Sequence, residues 1–404
     1  MQREKLVVIF TVFVDIIGFG IVIPILPFYV GSFGASPFTI TLLFSAFAFF
    51  AFLSSPFLGV LSDKVGRRPV LIGSIFSTAV GWVVFASATS IPMLFLGRII
   101  DGAAAGNFVV AQSCIVDIAK DEKERSANIG LIGATFGVGF MVGPMLGGLL
   151  STVSHAFPFW VAGGLALTNT VLAYFFLPET HRGRDPHAVI SFNPLSPLVR
   201  AARNVNLRPL FLTWILFALA FMASQSIFAL YAQHAFGFDS FMTGVFFSLI
   251  GVVTALNQTV LLNRVWLKYF TDAQLELFMI IVLLVSFIAL GTRSLVLFYG
   301  GFPLLATGQA VLRVVITSQV AGKANPHMKG EALGILTSLM AAAMVLAPVL
   351  SGALFEVFDA LPFMMSALLM VAALWIALNF RRRGSFTQKS SAPFSEGNSF
   401  EERV

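Results

Sequence analysis

Charge is scarce in this chain. Lys, Arg, Asp and Glu make up only 11% of its 404 residues, against about 25% in an average soluble domain. So few charges cannot cover a water-facing surface, which excludes a soluble enzyme or a soluble nucleic-acid-binding protein. A single cysteine, Cys114, permits neither a disulfide within the chain nor a cysteine-based metal cluster. There is no phosphate-binding loop of the GxxxxGK-Ser/Thr kind: Gly322-Lys323 is followed by Ala324 and lacks the upstream glycine. His155, His181, His187, His234 and His327 fall in loops or at helix ends without metal-ligand spacing, and no Ser-His-Asp arrangement is visible. No enzyme activity, metal, cofactor or nucleic-acid partner is therefore expected.

What the chain has in abundance is apolar residues, 57% of the total with 44 phenylalanines, and a mean hydropathy of +0.90. Runs of about 20 apolar residues cross a bilayer as helices. Twelve such runs are expected, at 6–29, 38–61, 70–89, 92–119, 127–150, 158–178, 209–233, 240–262, 273–293, 295–321, 329–355 and 360–380. The first holds Asp15 and two prolines without a small-residue cleavage site, so it reads as a retained helix rather than a leader. Of the 25 lysines and arginines, all but Arg98, Arg293 and Arg313 lie in segments that alternate to one side. Positive loops stay inside, so both termini are expected in the cytoplasm, and the net charge of +6 is a topology signal. The fold class is an all-α membrane protein of two six-helix bundles, residues 1–178 and 209–383. A cytoplasmic loop, 179–208, joins them, and within it Ile190–Arg203 is expected to lie on the membrane surface. A disordered tail, 384–404, follows.

The two bundles are related. Residues 130–150, GLIGATFGVGFMVGPMLGGLL, align without gaps on residues 334–354, GILTSLMAAAMVLAPVLSGAL. Gly130, Pro144 and Gly148 meet Gly334, Pro348 and Gly352; Gly139, Gly143 and Gly147 meet Ala343, Ala347 and Ser351. Small residues replace only small ones around a retained proline. Parallel repeats around a central cavity are an arrangement used for alternating access.

Three motifs carry chemistry. Between the second and third runs stands Gly59-Val-Leu-Ser-Asp63-Lys-Val-Gly66-Arg67-Arg68-Pro69. Gly66 permits a tight turn, Pro69 suits a first helical turn, and Asp63 can pair with either arginine. The fifth run places Gly139, Gly143 and Gly147 at one-turn spacing, with Pro144 and Gly148 beside them. Close packing of another helix explains that face by itself. The first run contains Asp15-Ile-Ile-Gly18-Phe-Gly20-Ile-Val-Ile-Pro24-Ile-Leu-Pro27, and Leu177-Pro178-Glu179-Thr180 follows the sixth. Together these resemble the major facilitator superfamily, and within it the twelve-helix drug/proton antiporters of the tetracycline-efflux branch. The resemblance implies that Asp63 and Arg67 form a conformational latch with Asp117 as the arginine's partner. It implies that the glycine-proline helix marks an antiporter, and that Asp15 serves proton coupling. The chain departs from that branch in two helices: Gly81 replaces an acid in the third, and the ninth holds no membrane-embedded acid.

A charge at mid-bilayer costs about 3 kcal/mol, so it is expected to have a partner and a task. Asp15 and Asp101 both lie roughly 14 Å into the membrane, from opposite sides, at 1.5 Å per residue. Arg98 and Asp101 are three apart on one helix face. Asp15 as proton carrier with Arg98 and Asp101 setting its affinity is one reading; a static bridge of the three is the other. Arg313 is expected to snorkel to the inner headgroups, with a substrate role as the alternative. Asn107, Gln112, Gln225, Asn257, Gln258 and Gln309 are candidates for the substrate cavity, with Tyr29 and Tyr231, although hydrogen bonds between helices account for some of them. The expected function is proton-coupled export of small amphipathic compounds by a monomer in the lipid of a bacterial inner membrane. The alternative is a proton-coupled importer or a uniporter of one metabolite.

Overall fold

Twelve helices long and apolar enough to cross a membrane form the computed structural model. They are α1 Lys5–Val22, α2 Pro37–Val65, α3 Arg67–Ala86, α4 Ile91–Asp117, α5 Glu122–Ser151, α6 Phe157–Phe176, α7 Arg208–Phe236, α8 Ser240–Tyr269, α9 Asp272–Leu290, α10 Leu295–Lys323, α11 Lys329–Val357 and α12 Leu361–Asn379. The structure describes residues 2–180, 199–201, 204, 207–325 and 328–390, and no strand occurs among them. The surface helix expected within 190–203 lies almost wholly outside the described residues. The helix that includes α12 runs Leu361–Ser390, and the rest of the expected tail lies outside the described residues. Basic residues suit a helix C-terminus, and the first proline comes only at Pro393.

Three helices depart from the uniform spans the sequence suggests. α1 stops at Val22 and resumes as the short helix Leu26–Gly31, because Pro24 and Pro27 cannot donate to the ladder. α4 is two helices, Ile91–Ala103 and Asn107–Asp117. It breaks at a small-residue stretch bounded by Gly102 and Gly106, where a side chain on Gly106 would run into Leu58 of α2. α8 turns π-helical over Asn257–Trp266, and Asn257 bridges the bulge: its Oδ1 accepts from Trp266 Nε1 at 3.0 Å and its Nδ2 donates to Thr307 Oγ1 at 3.2 Å.

The halves meet at the ends of the helices remote from the basic loops. Ser151 and Ser240 share a hydrogen bond of 2.8 Å between α5 and α8, and the Phe38 amide of α2 donates to Glu356 Oε1 of α11 at 3.1 Å. The buried residues of α2 run from Ile40 to Ala48, after which only Ser62 is buried. One apolar cluster joins both halves and extends through the second, while Val8, Val12, Ile16, Leu71 and Ile115 form a separate core at the end of the first half nearer the basic loops. The halves are thus joined at the ends remote from the basic loops.

Candidate functional site

α1 carries Asp15, which is partly buried. Its Oδ2 accepts a hydrogen bond from Asn107 Nδ2, at the first position of the inner half-helix of α4. The break in α4 is what brings the asparagine to this place. Arg98, on the outer half-helix, is 2% exposed and pairs instead with Asp101, Nη1 to Oδ2 at 3.1 Å. The guanidinium lies over the rings of Phe47 and Trp82, 4.2 and 5.1 Å from their centroids. The expected Arg98–Asp101 pair is present, but the bridge of three is absent: Asp15 bonds Asn107, and Asn107 is spent on Asp15 rather than left to a substrate. Gly81 of α3 has no room for a side chain, since a Cβ there would stand 2.8 Å from Asp101 Cβ. The acid missing from α3 is thus matched by one pressed against it from α4.

The glycine face of α5 serves two neighbours. A Cβ at Gly139 would meet Ile16 at 2.7 Å and one at Gly143 would meet Gly20 Cα at 2.9 Å, so this face seats the stretch of α1 that directly follows Asp15. Gly147 continues the same contact at Ile21. Gly148 packs on Phe241 and Gly244 of α8, and the Pro144 carbonyl also faces Gly244. α11 repeats the scheme: Ser351, the counterpart of Gly147, bonds Ser226 of α7 at 2.9 Å, and Gly352, the counterpart of Gly148, packs on Phe38 and Thr41 of α2.

At the inner end, Gly66 turns α2 into α3 in one residue at φ +117°, a conformation that favours glycine. Arg67 Nη1 reaches Asp63 Oδ1 and Ser62 Oγ, each at 2.5 Å, and its Nε reaches Asp117 Oδ2 at 3.0 Å. Gly59 lies one turn before Asp63, 3.9 Å from Val109 of α4 at its would-be Cβ. Glu179 was quoted in the sequence only as part of a motif. Its carboxylate accepts from the Arg67 and Arg68 amides at 3.0 and 3.3 Å, capping α3. Arg68 donates to the Tyr174 carbonyl at 2.6 Å. Except for Glu179, the first residue of the joining loop, these partners belong to the first half.

Several candidates take structural places. Asn257 is 2% exposed and Gln309 is 7% exposed, and Gln309 Nε2 donates to Thr254 Oγ1 at 2.8 Å, tying α10 to α8. Tyr29 is buried and donates to the Phe85 and Ala86 carbonyls. Tyr231 is buried and accepts from the Arg293 amide. A large phenol in a crowded core needs one such partner. Gln112, Gln225 and Gln258 remain unburied. An acid is in fact buried in α9: Glu276, near its inner end, accepts from Gln319 Nε2 at 2.8 Å. Outside the spans, Asp359 holds Arg293 Nη2 at 2.6 Å and His234 Nδ1 at 2.8 Å. Burial raises the Asp359 pKa, but the hydrogen bonds and charges of Arg293 and His234 outweigh it and hold the carboxyl below its ordinary value.

Twelve spanning helices in repeated halves, with a partly buried carboxylate on the first, are the architecture of a membrane transporter rather than an enzyme. The model of the Major Facilitator Superfamily matches residues 8–271, and the chain belongs to that family. It is 32% identical over 262 residues to the tetracycline resistance protein, class C, of Escherichia coli, covering 64% of this chain and 66% of that protein. It is 26% identical over 384 residues to the quinolone resistance protein NorA of Staphylococcus aureus, covering 94% of this chain and 96% of the relative. Among solved structures, the nucleoside transporter NupG superposes with a TM-score of 0.76 at 13% identity, covering 95% and 99% of the two chains. The human organic anion transporter MFSD10 does so with a TM-score of 0.70 at 24% identity, covering 93% and 99%. These likenesses establish the fold.

Proposed function

We propose that this chain is a proton-coupled antiporter that exports small amphipathic compounds by alternating access, with Asp15 as the proton carrier. The carrying observation is that Asp15 alone of the three mid-membrane charges in the first half is only partly buried, while Arg98 and Asp101 are buried and neutralise one another. Asn107 holds the carboxylate by a neutral hydrogen bond, which leaves the proton free to come and go. The relatives' resistance to tetracycline and quinolones, printed in their names, supports export of drug-like compounds. The glycine face of α5 joins the carrier helix α1 to α8 of the other half, so rocking of the halves is felt at Asp15. In this reading the membrane is a bacterial inner membrane with both termini in the cytoplasm, which the one-sided basic loops support, and the protein works as a monomer. Arg67 with Asp63 and Asp117 acts as the inner latch, waiting for the second half to close on it.

Energised inside-out vesicles test this. Adding lipophilic drugs should release protons with the wild type and not with Asp15→Asn at matched membrane levels. A broad panel that moves no protons with the wild type sinks the exporter reading.

A further inference from the structure

Arg313 is the intramembrane charge that the transport cycle above leaves unused. It stands on α10, about 27 Å beyond Leu295 and about 15 Å before Lys323 at 1.5 Å per residue, toward the end of the span nearer the basic loops. It is exposed, and its guanidinium makes no hydrogen bond or ion pair among the described residues. Arg98 by contrast is buried and paired. The direction in which Arg313 points follows from its helix. The face of α10 turned to α9 is marked by Gly308, against Leu283, and by Gln319, bonded to Glu276. Among the helices of the bundle α9 packs on α10 and α12, so it lies on the rim. At about 100° per residue, Arg313 is turned roughly 140° from Gly308 and 120° from Gln319, away from the rim. One turn outward on the same side, Gln309 is covered by Thr254 of α8; one turn inward Arg313 is uncovered.

We propose that Arg313 is an anion subsite of the transport cavity, taking the carboxylate, sulfonate or phosphate of an amphipathic substrate. The inference rests on the antiporter reading for the meaning of the cavity. An unpaired guanidinium in an apolar wall is costly and is relieved by a bidentate anion. Asp15 lies on the opposite half, about 15 Å beyond Lys5. The anion therefore binds on the second-half wall and leaves the carrier carboxylate free for its proton.

The probes are 1-anilinonaphthalene-8-sulfonate and the uncharged N-phenyl-1-naphthylamine, which share an aromatic skeleton and differ by the sulfonate. Binding of each to purified protein is followed by fluorescence for the wild type, Arg313→Gln and Arg313→Lys. The ratio of sulfonate to neutral-probe affinity should fall about tenfold in Arg313→Gln, the loss of one charge-assisted contact, and recover partly in Arg313→Lys. Because the readout is a ratio, a general loss of folded protein cancels. An unchanged ratio in Arg313→Gln overturns the subsite. Titrating phosphatidylglycerol into the same samples separates a lipid headgroup from a soluble anion: displacement of the sulfonate by lipid at matching affinity overturns the substrate role. Failure of either probe to move protons in vesicles would count against antiport while leaving the binding ratio, and this subsite, standing.

Discussion

At the scale of single residues, the function turns on which charges are paired. Arg98 and Asp101 were legible as partners from their spacing, because three residues apart is one helix face. That Asp15 would bond Asn107 was not legible, because it depends on a break in α4 that apolarity alone does not signal. Replacing Asn107 with Leu should leave the protein folded and shift the pH profile of drug-driven proton release; an unchanged profile would remove Asn107 from the carrier's surroundings. Outside the membrane, Asp359 is ionised more readily in the folded chain than in the unfolded one. Its stabilisation is therefore complete above the ordinary carboxylate range and is lost as pH falls through the lowered native value. Thermal melts of purified wild type and Asp359→Asn should differ at neutral pH and converge in acid. A gap that persists in acid would assign the effect to packing rather than to charge.

At the scale of elements, the glycine face of α5 was legible as a close-packing surface, and its match in α11 as a repeat. Which helices would fill it was not, since small residues admit any partner. The structure seats α1 on Gly139, Gly143 and Gly147, and α8 on Gly148. Gly143→Val should therefore push α1 away from α5 and cost about 1–3 kcal/mol in stability, with loss of transport. Gly137→Ala, where a Cβ would meet nothing within 4 Å, is the control and should behave as wild type in both. Similar melts for the two variants would contradict the packing. The departures within α1, α4 and α8 share a cause that hydropathy overlooks: proline, small residues and a side-chain bridge each interrupt an i to i−4 ladder without lowering apolarity.

At the scale of the whole molecule, twelve helices could be read from apolar runs. The state of the cavity could not, because opening and closing leave every helix intact. The structure joins the halves at the outer ends, and the neighbouring hydroxyls of Ser151 and Ser240 mark the seam. In a Cys114→Ser background, Ser151→Cys with Ser240→Cys should cross-link under oxidation, stop transport, and release it on reduction. Ready transport by the cross-linked form would mean that the seam never opens. The central claim is that one carboxylate, Asp15, exchanges its proton for the exported compound. The most direct measurement is proton release from purified, detergent-solubilised protein on adding a compound it binds, read with a pH indicator in weak buffer. The wild type should release protons on binding, and Asp15→Asn should bind the same compound and release none. Undiminished release from Asp15→Asn would place the proton elsewhere and contradict the account.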